Sequence, residues 1–142
     1  MKAILISAAL VAFAPLAGAS DAEIEVTPGL WAYDVTALLG GLPMGDTGRE
    51  CVTPAKAKRS LSRTAEALGQ GCRITRTEAI EDGYRFAMAC DGGVRGEVDG
   101  QIVTTAHAAV LTAEGWIGEG AQRAPVTITG SAEKIAETCT AS

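Results

Sequence analysis

Residues 71–90, GCRITRTEAIEDGYRFAMAC, constrain the fold most, because they read as one β-hairpin bracketed by cysteines. Ile74 and Ile80 lie on the first arm and Glu81-Asp82-Gly83 makes the turn. Tyr84, Phe86, Met88 and Cys90 alternate along the second arm. In a strand, successive side chains point to opposite faces, so this pattern allows one face to be buried. Nothing in the hairpin brings together a nucleophile, a base and an orienting acid. It is a scaffold.

The rest of the chain must supply a partner for that buried face. Residues 30–39 read as another strand: Trp31, Tyr33, Val35, Ala37 and Leu39 share one side, and Asp34 and Thr36 the other. Gly40-Gly41-Leu42-Pro43 breaks this pattern, and residues 46–52 return as a shorter strand carrying Cys51. After the hairpin, Val94, Gly96, Val98, Gly100 and Ile102 alternate with Arg95, Glu97, Asp99 and Gln101. Glycines on the apolar side of this strand imply a close neighbour or a bend. Residues 108–112 and 125–132 read as two further short strands. Between them residues 113–122 form a polar, Gly-rich connection that contains Trp116.

One helix interrupts the strands. Thr53-Pro54 has the composition of a helix start and Gly69 of a stop. Between them Ala57, Leu61, Ala65 and Leu68 make a narrow apolar stripe. Lys56, Arg59 and Arg63 line another side, with Lys58 nearby. Positive charge near a helix N-terminus opposes the macrodipole, so local stability does not explain this placement. Functionally these cations form an anion-facing or partner-facing patch; structurally they form a solvated face. The predicted fold is α+β and mainly β: a curved antiparallel sheet of about six or seven strands, a meander or half-barrel, with one short helix.

Residues 1–19 pair Lys2 with an apolar run that ends in Ala17-Gly18-Ala19, the pattern of a cleavable signal peptide. The run is shorter than the roughly 20 apolar residues a spanning helix needs, and no later run spans a bilayer. Residues 20–29 read as a flexible, polar leader closed by Pro28-Gly29, with structure beginning after it, and residues 30–142 as a single domain. The formal charge is −5, or −6 without residues 1–19, which hold Lys2 and no acid. An acidic chain lacks the concentrated positive face that nucleic-acid binding requires.

The 4 cysteines all follow residue 19, and an even number in an exported chain implies disulfides. If the helix runs the length of the sheet, Cys72 begins its strand at the end opposite Cys51. The meander then returns Cys90 beside Cys72, and Cys139 finishes near Cys51. Pairing of Cys72 with Cys90 and of Cys51 with Cys139 is therefore favoured over Cys51 with Cys72 and Cys90 with Cys139. The turn complicates the inner pair. A two-residue turn at Asp82-Gly83 sets Thr75 opposite Cys90, whereas a five-residue loop over residues 79–83 sets Cys72 there.

Pro28-Gly29-Leu30-Trp31, Cys51-Val52-Thr53-Pro54 before a short helix, Gly71-Cys72, Arg95-Gly96-Glu97 and a final Cys139 occur in this order. Together they resemble the small exported bacterial family known as domain of unknown function 3617 (DUF3617). The resemblance covers nearly all of the chain after residue 19. It departs at Ala136-Glu137-Thr138-Cys139, which replaces a glycine-rich, basic approach to the last cysteine. It implies a Gram-negative periplasmic setting and supplies no catalytic residue.

Tests for chemistry find little. His107, the 1 histidine, has no orienting acid or pocket indicated beside it. The cysteines lack the C-x-x-C spacing of redox and zinc sites. Asp91-Gly92-Gly93 and Asp99-Gly100 lack the regular oxygen spacing of calcium loops, and the Gly-rich segments lack a phosphate-loop lysine. No cofactor or metal is expected. Trp31 and Trp116 remain as residues suited to an apolar ligand, although Trp31 also fits the core. The sequence therefore predicts a monomeric, non-enzymatic periplasmic module that binds a small apolar ligand. The alternative is an envelope interaction or structural protein that uses Lys56, Arg59 and Arg63.

Overall fold

The structure, a computed structural model, describes residues 22–68, 71–93 and 95–139. The expected signal peptide, Val94 and the Gly69 helix stop lie outside the described residues. Among the described residues nine strands and one α-helix follow in the order β1 (Glu23–Glu25), β2 (Gly29–Leu39), β3 (Leu42–Val52), β4 (Lys58–Ser60), α1 (Leu61–Leu68), β5 (Cys72–Ile80), β6 (Gly83–Cys90), β7 (Gly96–Thr104), β8 (Ala108–Ile117) and β9 (Ala124–Ala136). Seven of these strands form one antiparallel sheet in the order β3-β2-β9-β8-β7-β6-β5, and β1 pairs with β4 in a separate ribbon. The mainly β fold read from the sequence is the fold observed. The sheet is open, with β3 and β5 at its edges.

Local chemistry accounts for the hairpins. Gly40 and Gly41, with φ of +57° and +87°, turn β2 into β3 in two residues. β3 is longer than predicted, because pairing along all of β2 carries it through Pro43, which an edge strand tolerates. β5 and β6 turn at Glu81-Asp82, and Asp82 takes a φ of +61°, a conformation that Asp accepts better than most residues. From this turn the register runs Ile80 opposite Gly83 to Arg76 opposite Ala87. Thr75 is then skipped as a β-bulge, so that Ile74 meets Met88 and Cys72 meets Cys90. A bulge, rather than a long turn, thus sets the two cysteines opposite each other. Disulfides join Cys72 to Cys90 and Cys51 to Cys139.

Beyond the longer strands, three predictions change, each because tertiary pairing overrides local propensity. The leader is not without structure. Glu23–Glu25 is paired with Lys58–Ser60, and Ala22 and Ile24 are buried. The helix does not start at Thr53-Pro54, where a single 3-10 turn forms instead over Pro54–Lys56. β4 is held by the β1 ladder, which extends through Val26 N–H to the Ala57 carbonyl (2.7 Å) and Leu61 N–H to the Ala22 carbonyl (2.9 Å). Only then does α1 begin, with the Arg63 N–H donating to the Ser60 hydroxyl at 3.3 Å as an N-cap. Finally, β8 continues through Trp116, so that this residue sits in a strand and not in a loose connection.

The inner face of the sheet carries the core. Phe86 and Met88 on β6, Val98 on β7, Ala113 on β8 and Val126 on β9 pack with Ala22 just before β1, Ile24 on β1, and Leu61 and Ala65 on α1. β1, β4 and α1 therefore form a cover over one face. Gly100 keeps this packing close: a Cβ there would lie 2.7 Å from the Phe86 ring and 2.8 Å from the Ala113 methyl. The outer face is mostly polar, with Glu97, Asp99, Thr112, Glu114, Thr127 and Thr129 exposed along β7, β8 and β9, and Leu38 and Val110 as exposed apolar exceptions.

Candidate functional site

An apolar cavity of about 250 Å³ lies between the inner face of the sheet and its cover. Val52 on β3 and Ile74 on β5 both line it. These strands are the two edges of the sheet and would stand roughly 29 Å apart in a flat one. Sharing one cavity requires the sheet to curl around it. The cover closes the top through Ile24 and Leu61, both buried.

Trp31 contributes its ring to the wall and is 3 % exposed. Its indole N–H donates to the Thr27 carbonyl at 2.9 Å, so the buried polar atom is satisfied and the ring is fixed. Thr27 is itself tied to the β7–β8 turn, its hydroxyl donating to the Ala106 carbonyl at 2.5 Å. Trp31 is thus a core residue, as one of its two sequence readings had it, and it also lines the cavity.

The charged groups that line the cavity, Glu50 and Arg59, meet in one region. Glu50 lies opposite Trp31 across the β2–β3 pair. Arg59 lies opposite buried Ile24 across the β1–β4 pair, which turns it inward. The two meet in an ion pair of 2.5 Å, with about 40 % of each side chain exposed, so it stands at the cavity's rim and not in its depth. Nearby, the Tyr33 hydroxyl donates to Asp46 at 3.3 Å. The Asp46 charge, then burial, hold the Tyr33 phenol above its ordinary range.

The other predicted contacts separate into two groups. Lys56 and Arg63 line a shallow depression with Arg59, Lys58, Glu50 and Thr64. The basic patch is therefore real, although a 3-10 turn, β4 and α1 build it rather than one helix face. Trp116 does not reach the cavity. It lies on the outer face of β8, with the Arg123 guanidinium 3.7 Å from its ring centre. His107 is exposed in the β7–β8 turn. Among the described residues no group of acids, cysteines and histidine forms a metal-ligand cluster.

Sequence reasoning missed Glu50 and the contribution of β1. Glu50 shares the parity of buried Val52, a signal visible once β3 is placed. The three-residue β1 has no such signal, because its strand character exists only through its pairing with β4.

A curved, open antiparallel sheet with a partial cover, an apolar interior and two disulfides defines a small stapled β-domain. The chain belongs to the family described as protein of unknown function (DUF3617), whose model matches residues 26–139. This is the family that the PGLW opening and the cysteine spacing resemble. No curated protein and no solved structure matches the chain. Among the described residues no helix is long and apolar enough to cross a membrane, which leaves strands out of account.

Proposed function

We propose that the protein is a non-catalytic periplasmic module that binds a small apolar ligand in the cavity under β1, β4 and α1. The observation that carries this reading is a cavity of about 250 Å³, lined mainly by apolar side chains and open at its rim. Interiors are normally filled to crystal density, and dry apolar voids cost stability. Retaining one is consistent with an occupant. Two disulfides fit an oxidising compartment, to which residues 1–19 would direct the chain. Native mass spectrometry of the protein purified from its own periplasm should show an added mass that denaturation releases. Saturable uptake of a neutral naphthylamine fluorophore should follow once that ligand is removed. A mass equal to the bare chain together with no saturable uptake would sink the proposal.

A second reading, an envelope interaction or structural protein, is favoured by the convergence of Lys56, Arg59 and Arg63 on one surface depression. It requires an acidic protein partner whose capture is lost when Lys56 and Arg63 are changed to Glu.

A further inference from the structure

The basic depression and the apolar cavity are not separate features: Glu50, Arg59 and Thr64 line both. We propose that the ligand is a single-chain amphiphile with an anionic head, its chain in the cavity and its carboxylate or phosphate held at the rim by Lys56, Arg59 and Arg63. This rests on the cavity's being a binding site.

Three observations converge. First, the depression gathers Lys56, Lys58, Arg59 and Arg63 around one acid, Glu50, on a chain whose formal charge is −5. Four of its 12 basic residues thus fall within eight positions, at the rim where the charged side chains Glu50 and Arg59 line the cavity. Second, these cations do not answer a structural need. Among the described residues only Arg59 of the four forms an ion pair, and Arg63 lies in the first turn of α1, where the helix dipole disfavours it. Third, the size is suitable. An apolar cavity of about 150 Å³ accommodates a six-carbon ring, so about 250 Å³ corresponds to a chain of about ten carbons. Arg59 sits at the junction with a carboxylate already on its guanidinium, and that fork also suits the two oxygens of an incoming head. An anionic head would replace or share Glu50 there, while Lys56 and Arg63 neutralise the added charge.

The protein stripped of bound ligand is first saturated with the neutral naphthylamine probe, and then titrated with decanol, decanoate and decyl phosphate. Decanoate or decyl phosphate should displace the probe at least about tenfold more effectively than decanol, the ratio that one charge-assisted hydrogen bond supplies. Added salt should shrink that ratio. A preference between the two anions assigns the head as a fatty acid's carboxylate or a lipid's phosphate, and either outcome supports the proposal. The double variant K56E/R63E should erase the ratio and still bind the neutral probe as before, which also shows that it folds. Arg59 is left intact, since reversing it would set two carboxylates together. Equal displacement by decanol and the anions would overturn the anionic-head assignment while leaving the cavity reading standing. Failure of the neutral probe to bind would overturn both.

Discussion

Trp31 and Trp116 are the same residue on strands of the same sheet, and their surroundings differ in almost every respect. Trp31, on the inner face of β2, is 3 % exposed, spends its indole N–H on the Thr27 carbonyl and walls the cavity. Trp116, on the outer face of β8, is half-buried and shielded by the Arg123 guanidinium. The difference comes from the cover. Period two sorts side chains onto two faces, but only β1, β4 and α1 decide which face is removed from water. A tryptophan on the covered side becomes a wall of the site, whereas one on the other side becomes surface.

Replacing each ring separately should break this comparison if it is false. Trp31→Ala should lower the unfolding free energy by about 3–5 kcal/mol, as expected for deleting a large buried ring. Trp116→Ala should lower it by about 1 kcal/mol, the loss of one exposed cation–π contact and some packing. Denaturant unfolding reads both, and equal losses would mean that the faces are not distinct. A smaller effect divides the inner face itself. At Gly100 a new methyl meets the Phe86 ring and the Ala113 methyl, so Gly100→Ala should cost about 1–3 kcal/mol. At Gly130 the nearest atoms lie 3.5 Å away, on Leu111 and Val35, so Gly130→Ala should raise stability by about 0.5 kcal/mol. Thermal or chemical unfolding showing the same sign for both would refute this contrast between the Gly100 and Gly130 positions.

The smallest effect concerns charge and not stability. Asp46 makes ionisation of Tyr33 harder, so the phenol stays protonated to higher pH than an unperturbed tyrosine. In Asp46→Asn the Tyr33 phenolate should appear at lower pH, nearer the ordinary range, when followed by ultraviolet absorbance. An unchanged titration would separate Tyr33 from Asp46.

The parts of this fold written in local pattern were legible from the sequence. Tyr84, Phe86, Met88 and Cys90 alternate, and all four pack in or against the core. The glycines alternating along β7 imply a close neighbour or a bend, and Gly100 is a close approach. What could not be read depends on residues far apart. Thr53-Pro54 carries good helix-start chemistry, yet the ladder to β1 draws the following residues into a strand, and the helix waits for Ser60. Gly115 reads as a breaker, but β8 carries it as a point of close approach to β7, and Trp116 follows in the same strand. The cavity is still less accessible to sequence reasoning, because a void is defined by what no side chain fills. Its rim was partly visible, in Arg59 and the unexplained cations around it.

The bulge at Thr75 has a consequence for how β5 can be read at all. On the turn side of it Thr77 and Ala79, at odd positions, oppose Phe86 and Tyr84; beyond it Ile74 and Cys72, at even positions, oppose Met88 and Cys90. One unpaired residue therefore reverses the strand's phase midway. Along the linear chain the apolar rhythm of residues 72–80 looks broken, yet in space it is continuous. Without that reversal Arg73 would stand opposite Cys90, and the inner disulfide and Ile74 would exchange places with the charged side of the strand. Thr75 thus acts as a phase shifter, letting a strand that is out of step with itself in sequence keep half-buried Cys72, Ile74 and Thr77 on one side.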